Sequence, residues 1–219
     1  AYDGAGNFFV SEETTPPSSI SIAKVSASIS GGSVTWADVK QLSVPTSQFD
    51  GGFSAIGYYS GNLHGVTPTG MFIQVDPTSG VTKKIEAGLQ QNITGLSFVG
   101  ELIVFSRQND AEIYASMYQQ QVQLTAPSTS ARASAYDPTT QNLYLVTDGY
   151  PTDVVLISDT SGGLVGGFKL PSAAVEAITF FGGDLYIGDG AAIKKINKTT
   201  GAVESTVKDL SNFMQEIGG

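Results

Sequence analysis

A short strand-like motif recurs along the chain at a nearly constant spacing, and this repeat limits the folds that the chain can adopt. Each copy begins with a polar or charged residue and continues with mostly apolar ones, at Asn7, Asn62, Glu101, Asn142 and Asp184. The successive spacings are 55, 39, 41 and 42 residues. A period of about 40 to 50 residues built from short strands is typical of propellers and similar arrays.

The residues around each motif predict a four-stranded unit. A strand of apolar or small residues precedes the motif, as in residues 93–98 and 175–180, and a tight turn such as Gly182-Gly183 joins the two strands. A third strand follows, and a turn that opens with Asp or Asn and ends near a Gly leads to a fourth strand. Three such turns are present: Asp76–Gly80, Asp159–Gly163 and Asn197–Gly201. The third unit lacks this turn and has residues 118–121 in its place.

These segments resemble blades of the β-propeller superfamily, in particular YncE-like, NHL-like and SMP-30-like blades. The stretches YDPTTQNLYLVTDG at 136–149 and INKTTGAVEST at 196–206 carry the resemblance, and the repeat extends over the whole chain. The resemblance implies an all-β fold, a five-bladed β-propeller of four-stranded antiparallel blades. It implies little about activity, because propellers host hydrolases, lyases, lectins and scaffolds alike. A β-sandwich with an accidental periodicity is the alternative.

The repeat is interrupted at both ends of the sequence. The opening AYDGAGNFFV matches ASAYDPTTQNLYLV without the start of its first strand, and the closing DLSNFMQEIGG matches KLPSAAVEAITFFGG, the start of a repeat. We therefore predict a single domain, 1–219, whose first blade is completed by the C-terminal strand. The predicted blades are 1–45 plus 211–219, 46–88, 89–127, 128–171 and 172–210.

Three origins of the closing strand remain open at this point. It belongs to the same molecule, which removes an exposed sheet edge, or it enters a neighbouring molecule, which builds a fibre. In the third case the 219 residues are one domain of a longer tandem protein.

The composition agrees with this fold and argues against several functions. Only 14% of the residues are charged and 26 are Gly, which suits short strands joined by many turns. The net charge of -9 disfavours nucleic acid, which proteins bind mainly through Lys and Arg. No apolar run approaches the ~20 residues of a membrane span. Because the chain has no Cys and a single His, His64, neither a catalytic triad nor a zinc site is expected. We predict that His64 fills the strand position where other blades carry Tyr.

Two carboxylates are candidate catalytic residues. Glu176 and Glu216 occupy matching positions, in VEAI and QEIG, on putative inner strands. If blades one and five are neighbours, the two residues face each other across the mouth of the channel. Glycoside hydrolases need two carboxyl groups roughly 5 to 10 Å apart, so a glycoside hydrolase or a lyase is an alternative function. A residue repeated in neighbouring blades is also explained by a structural role.

Acidic residues also recur in the loops between second and third strands, which share one face of a propeller. These binding-face candidates are Glu12, Glu13, Asp110, Asp148 and Asp189. A ring of carboxylates can hold a calcium ion or a cationic partner, whereas a solvated acidic rim is the simpler explanation because no Asp-x-Asp-x-Asp spacing accompanies it. Tyr150 is the aromatic residue most expected to be exposed in these loops, and it leaves a carbohydrate-binding lectin as a further alternative. No other cofactor is predicted.

Two sequons favour an extracellular or cell-surface protein. Asn92-Ile-Thr and Asn197-Lys-Thr are potential N-glycosylation sites. The insertion SEETTPPSSIS explains the long first spacing and is predicted to be a projecting loop whose Ser and Thr could carry O-linked sugars. We therefore predict a non-catalytic module for binding or assembly, with a glycoprotein filament subunit as its most specific form. Its expected partners are proteins, including further copies of the chain, and glycans.

Overall fold

The computed structural model is all-β in the part of the chain that it describes. It contains two compact units, Ala1–Leu96 and Ser97–Gly219, each with its own hydrophobic core. The described residues are 1, 5–11, 19–30, 33–45, 52–86, 92–99, 102–107, 111–115, 120–124, 131–147, 152–173, 175–190 and 192–209.

Sheet 1, in the first unit, is an antiparallel meander of three described strands. They are hydrogen-bonded in chain order: β1 (Asn7–Ser11), β2 (Ser19–Ser30) and β3 (Ser33–Pro45). The long pairing of β2 with β3 runs from Ser19 opposite Pro45 to Ser30 opposite Ser33. Both ends of the predicted projecting loop therefore belong to strands, and its residues 12–18 lie outside the described part. The long first spacing of the repeat arises partly from this extended hairpin.

The other four sheets each contain four antiparallel strands in chain order. Sheet 2 comprises β4 (Ala55–Tyr59), β5 (Asn62–Val66), β6 (Phe72–Val75) and β7 (Thr82–Glu86). Sheet 3 comprises β8 (Ile93–Val99), β9 (Leu102–Arg107), β10 (Ala111–Ala115) and β11 (Gln120–Leu124). Sheet 4 comprises β12 (Ala131–Asp137), β13 (Asn142–Thr147), β14 (Val154–Asp159) and β15 (Leu164–Lys169). Sheet 5 comprises β16 (Val175–Phe181), β17 (Asp184–Asp189), β18 (Ala192–Ile196) and β19 (Val203–Asp209). These sheets confirm the predicted four-stranded units.

The turns between third and fourth strands form as the sequence predicts. The side chain that opens each turn accepts hydrogen bonds from backbone N–H groups two to four residues ahead, as Asp76 Oδ1 does from Thr78 and Ser79 at 2.8 and 2.7 Å. Near the end of each turn a Gly has a positive φ, 73° at Gly80, 91° at Gly162 and 75° at Gly201. Only Gly adopts this conformation without strain, so the Gly of each turn has a backbone function.

Each unit buries the alternating apolar residues of its strands. The first core contains Phe9, Ile22, Leu42, Val44, Phe53, Leu63, Ile73 and Val75. In the second, residues of β13 and β14 pack against β16 and β17, and the rings of Tyr144 and Phe180 meet edge to face with centroids 4.9 Å apart. Each fully buried Val, Leu, Ile or Phe side chain contributes about 1.5–3 kcal/mol through the hydrophobic effect. Packing of sheet against sheet is therefore the main source of stability.

Ala1 occupies a position beside β1 that corresponds to a first strand. Its nitrogen donates to the carbonyl of Phe9 and its carbonyl accepts from the N–H of Phe9, both at 2.8 Å. In Sheet 4 the first-strand residue Ala135 pairs in the same way with Tyr144, two residues after Asn142, as Phe9 comes two residues after Asn7. The alignment of AYDGAGNFFV with ASAYDPTTQNLYLV is thus supported by backbone pairing.

Candidate functional site

The structure describes four of the predicted site residues. Asn92 and Glu176 are exposed, Asp189 is partly buried, and Asn197 is half-buried. The other candidates lie outside the described residues: Glu12, Glu13, Asp110, Asp148, Tyr150 and Glu216. The described part of the predicted binding face is therefore the edge of Sheets 4 and 5 where β13, β15 and β17 end and β14, β16 and β18 begin.

Asp189, the last residue of β17, connects three segments at this edge. Its Oδ1 accepts a hydrogen bond of 2.9 Å from the Ser172 hydroxyl, in the link from β15 to β16, and its Oδ2 forms an ion pair with Lys194 of β18. Burial acts to raise the pKa of Asp189, but the hydrogen bonds from Lys194 and Ser172 and the Lys194 charge outweigh it, so the pKa lies below its usual value. The carboxylate is thus charged and already bound to a cation of its own chain.

The position of Asp189 is polar in each of the four-stranded sheets. The equivalent residue comes five positions after the start of each repeat motif, and the set is Thr67, Ser106, Thr147 and Asp189. Thr67 Oγ1 accepts the N–H of Met71 at 3.0 Å, and Thr147 Oγ1 donates to the carbonyl of Val154 at 3.1 Å. In both cases a side chain at the end of the second strand bonds to the start of the third. We call this position the strand latch, and Asp189 is its charged form.

Glu176 projects from a β-bulge at the start of β16. Val175 pairs with Asp189 and Ala177 with Gly188, so Glu176 is the extra residue of the bulge, and it is exposed. The same bulge occurs at the start of β12, where Arg132 is the extra residue. A bulge redirects one side chain out of the regular alternation. The counterpart of Glu176 in the preceding sheet is therefore a cation and not a second carboxylate.

Arg132 binds a buried carboxylate that the sequence did not reveal as important. Asp153, only 1% exposed, lies just before β14, and its Oδ2 is 3.5 Å from the Arg132 guanidinium. The same Oδ2 accepts the N–H of Val175 at 3.1 Å, while Arg132 donates to the carbonyl of Ala173 at 3.2 Å. Backbone bonds from Asp153 to Ser172 and from Leu170 to Asp153 complete the contact. Asp153 and Arg132 thus hold the link between Sheets 4 and 5.

The Oδ1 atom of Asp153 is buried and has no hydrogen-bond partner among the described residues. Two features of the sequence could have pointed to this pair: an Asp at the start of a third strand, and the match of ARAS at 131–134 with VEAI at 175–178. Neither signal indicated burial, because exposure depends on how Sheet 5 packs against Sheet 4.

His64 lies in the core of Sheet 2, as predicted. It is 3% exposed, it pairs with Gly57 as Tyr144 pairs with Ala135, and its ring stacks on Phe72 with centroids 5.4 Å apart. Burial lowers its pKa to about 4, opposed by a hydrogen bond with the backbone of Asn62. The imidazole is therefore neutral at physiological pH and packs as an aromatic core residue.

The described residues contain no group of three or more His, Asp or Glu side chains placed to hold a metal ion. The predicted calcium ring stays a prediction, because Asp189 is its one described member. No helix long and apolar enough to cross a membrane occurs in the described part of the chain.

Comparisons with known proteins identify the fold. No protein-family model matches the chain, and no curated protein matches its sequence. A crystal structure of a nidogen/laminin complex matches with a TM-score of 0.60 at 13% identity, covering 88% of this chain and 73% of that one. The crystal structure of glutaminyl cyclase from Myxococcus xanthus matches with a TM-score of 0.59 at 14% identity, covering 76% and 74%. Both neighbours are propeller-like, and at this identity the likeness concerns the fold alone. The four-stranded antiparallel sheets and these neighbours together support a β-propeller, while its five blades and its closure stay predictions.

Proposed function

We propose that the chain is a non-catalytic extracellular β-propeller that acts as a structural or interaction module. Its most specific form is the repeating subunit of a filament or cell-surface assembly. The observation that carries this proposal is the hydrogen-bonded pair of Ala1 and Phe9, which corresponds to the pair of Ala135 and Tyr144 in a complete sheet.

In Sheet 4 the first strand continues past this pair, because Ala133 lies opposite Val146 and Ala131 opposite Thr147. The equivalents of Val146 and Thr147 are Ser11, the last residue of β1, and Glu12, which lies outside the described residues. Residues 211–217, which resemble a first strand in sequence, are suited to pair with them. Main-chain hydrogen bonds to a sheet edge supply affinity in such strand addition, and alternate side chains supply specificity. A strand donated to the next molecule makes a head-to-tail contact, which repeats into a filament.

The contacts at the edge of Sheets 4 and 5 favour an interaction module over an enzyme. Asp153 and Arg132 bind the link between the sheets, and Asp189 binds Ser172 and Lys194. These side chains are therefore occupied by the fold itself. One propeller-like neighbour was solved in a nidogen/laminin complex, which is a protein–protein assembly, and this agrees with a function in protein interaction.

Cysteine cross-linking tests the proposal directly, since the chain has no Cys of its own. Ser11→Cys and Ile217→Cys are introduced together, and the oxidised protein is separated on a denaturing gel without reductant. We expect a ladder of covalent multimers, because the proposed pairing puts Ile217 of one copy opposite Ser11 of the next, as Ala177 lies opposite Gly188 in Sheet 5. The matched control is Ser11→Cys with Thr78→Cys, which places the second thiol in an exposed turn.

The ladder supports a filament subunit. A cross-linked monomer without multimers means that each chain completes its own first sheet, and filament assembly through the termini is then wrong. Failure of the double variant to cross-link at all refutes the strand pairing. Electron microscopy of the wild-type protein provides the second measurement, and we expect fibres that disappear when residues 210–219 are deleted.

A further inference from the structure

We propose that Asn197 carries an N-linked glycan and that the hairpin turn between β18 and β19 is an acceptor site even after the chain has folded. This inference rests on the proposed extracellular placement, because N-glycosylation enzymes act along the secretory route. The sequon comprises Asn197, Lys198 and Thr199.

All three residues of this sequon lie on the surface of one turn. Asn197 and Lys198 are half-buried and Thr199 is exposed. The Thr199 hydroxyl, which a glycosyltransferase must recognise, makes no hydrogen bond with the described residues, whereas its N–H donates to Asn197 Oδ1 at 3.0 Å. The recognition element is therefore presented to solvent in a fixed conformation.

The amide group of Asn197 is oriented by its own turn. Its Oδ1 accepts the N–H groups of Thr199 and Thr200, each at 3.0 Å, which forms an Asx-turn. Its Nδ2 donates one hydrogen bond of 3.2 Å to Glu204 Oε1, on the exposed strand β19. An amide nitrogen has two hydrogens, so one can be replaced by a sugar while the other remains available for Glu204. Attachment of a glycan thus requires no hydrogen bond of the turn to break.

The reaction is a substitution at the anomeric carbon of a sugar carried on a lipid diphosphate. A bond forms between Asn197 Nδ2 and that carbon, and the bond from the carbon to the diphosphate oxygen breaks. The lipid diphosphate leaves with the electron pair, and the amide nitrogen loses one proton to a base of the transferase. The chain itself supplies only the acceptor amide and the hydroxyl at the second position after it.

The other sequon provides an internal contrast. Asn92 is exposed, but Ile93 is only 2% exposed and begins β8, in which Thr94 is also placed. An enzyme that binds three consecutive residues cannot engage this sequon without removing Ile93 from the core. We therefore expect Asn92 to be modified only before folding, and Asn197 both before and after.

The first experiment expresses the full chain behind a secretion signal in a eukaryotic cell and maps glycosylated peptides by mass spectrometry. We expect an oligosaccharide at Asn197, removed by peptide-N-glycosidase, whether or not Asn92 is also modified while the chain is still unfolded. Thr199→Ala abolishes it, whereas Thr200→Ala, the matched control one residue further, leaves it in place. An unmodified Asn197 in secreted, folded protein overturns the proposal.

The second experiment tests the dependence on folding. Purified unglycosylated chain is incubated with an oligosaccharyltransferase and a lipid-linked oligosaccharide, once folded and once in denatured form. We expect Asn197 to be modified in both samples and Asn92 only in the denatured one. Modification of Asn197 only after denaturation contradicts the inference. Because the secretion signal and the transferase are supplied, both results stand independently of whether the native protein forms filaments.

Discussion

Replacing Gly201 with Ala tests whether the turns at the ends of third strands also bind neighbouring sheets together. Gly201 has a φ of +75°, and a Cβ built on it would overlap the carbonyl oxygen of Lys169 and lie 2.7 Å from Phe168 Cδ2. Both contacts are with β15, so the turn of Sheet 5 lies directly on the last strand of Sheet 4. Gly183 has a similar φ of +84°, but a Cβ there would meet nothing within 4 Å.

The two substitutions share the cost of a side chain at positive φ, about 1–2 kcal/mol. Gly201→Ala adds the cost of displacing backbone that is already packed, about 1–3 kcal/mol by analogy with overpacked cores. We therefore expect Gly183→Ala to lower the free energy of unfolding by about 1–2 kcal/mol and Gly201→Ala by about 2–5 kcal/mol. For a chain of this length each kcal/mol corresponds to about 2–4 °C in Tm.

Urea unfolding followed by circular dichroism and intrinsic fluorescence measures both variants against the wild type. Sheets 1 and 2 offer an independent pair, because a Cβ at Gly80 would overlap the carbonyl oxygen of Ser43, whereas one at Gly61 would meet nothing within 4 Å. Gly80→Ala should therefore lower the free energy of unfolding more than Gly61→Ala does, as Gly201→Ala should compared with Gly183→Ala. Equal losses for Gly201→Ala and Gly183→Ala would mean that the turn does not press on β15, and the reasoning would be refuted.

Three further predictions concern buried polar groups. His64 has a pKa of about 4 in the fold, against 6.5 when unfolded, so the unfolded chain binds more protons between these values. The free energy of unfolding should therefore fall by up to about 3 kcal/mol as the pH drops from 6.5 through 4. The stability of His64→Tyr should lack this pH dependence, and an unchanged dependence contradicts the assignment. Asp153→Ala should cost about 2–4 kcal/mol in urea unfolding, because it removes the acceptor of the Val175 N–H and the carboxylate that pairs with Arg132. A loss under 1 kcal/mol would show that solvent replaces this carboxylate. Asp189→Asn should cost about 1–2 kcal/mol at pH 7. Because the folded pKa of Asp189 lies below its ordinary value of 3.8, the wild-type contribution starts to decrease below pH 3.8 and is lost as the pH falls through the folded pKa. The difference in stability between variant and wild type should therefore be smaller at pH 3 than at pH 7, and an equal difference at both pH values contradicts the assignment.

Much of the local architecture could be predicted from the sequence because it depends on local chemistry. The Ser60-Gly61 turn has φ values of 48° and 82°, and the Gly182-Gly183 turn has 59° and 84°, as two-residue hairpins require. The position of His64 followed from its alignment with Tyr144 and Tyr186, both buried. Such features depend on a few neighbouring residues and a period of two along each strand.

Features that depend on contacts between sheets could not be predicted in this way. Asp153 stands at the start of a third strand in the sequence, which does not indicate burial; its burial results from the path of the link between β15 and β16. The match of ARAS with VEAI aligns Arg132 with Glu176, but only the register of β12 and β16 shows that both are the extra residue of a bulge. The partners of Asp189 are likewise a hydroxyl from the preceding link and a Lys from the next strand, which no spacing rule connects.

The strand latch shows why a recurring polar residue in this chain indicates structure before it indicates chemistry. Thr67, Thr147 and Asp189 occupy the same place in three sheets, yet one accepts a backbone N–H, one donates to a carbonyl, and one binds Ser172 and Lys194. Thr67 and Thr147 thereby satisfy backbone groups at the crossing to the third strand, whereas Asp189 joins side chains of two neighbouring segments. An acid there needs a cation within the fold, and Lys194 supplies it. The assembly and glycan proposals therefore rest on a sheet edge and a surface turn, and not on this recurring polar position.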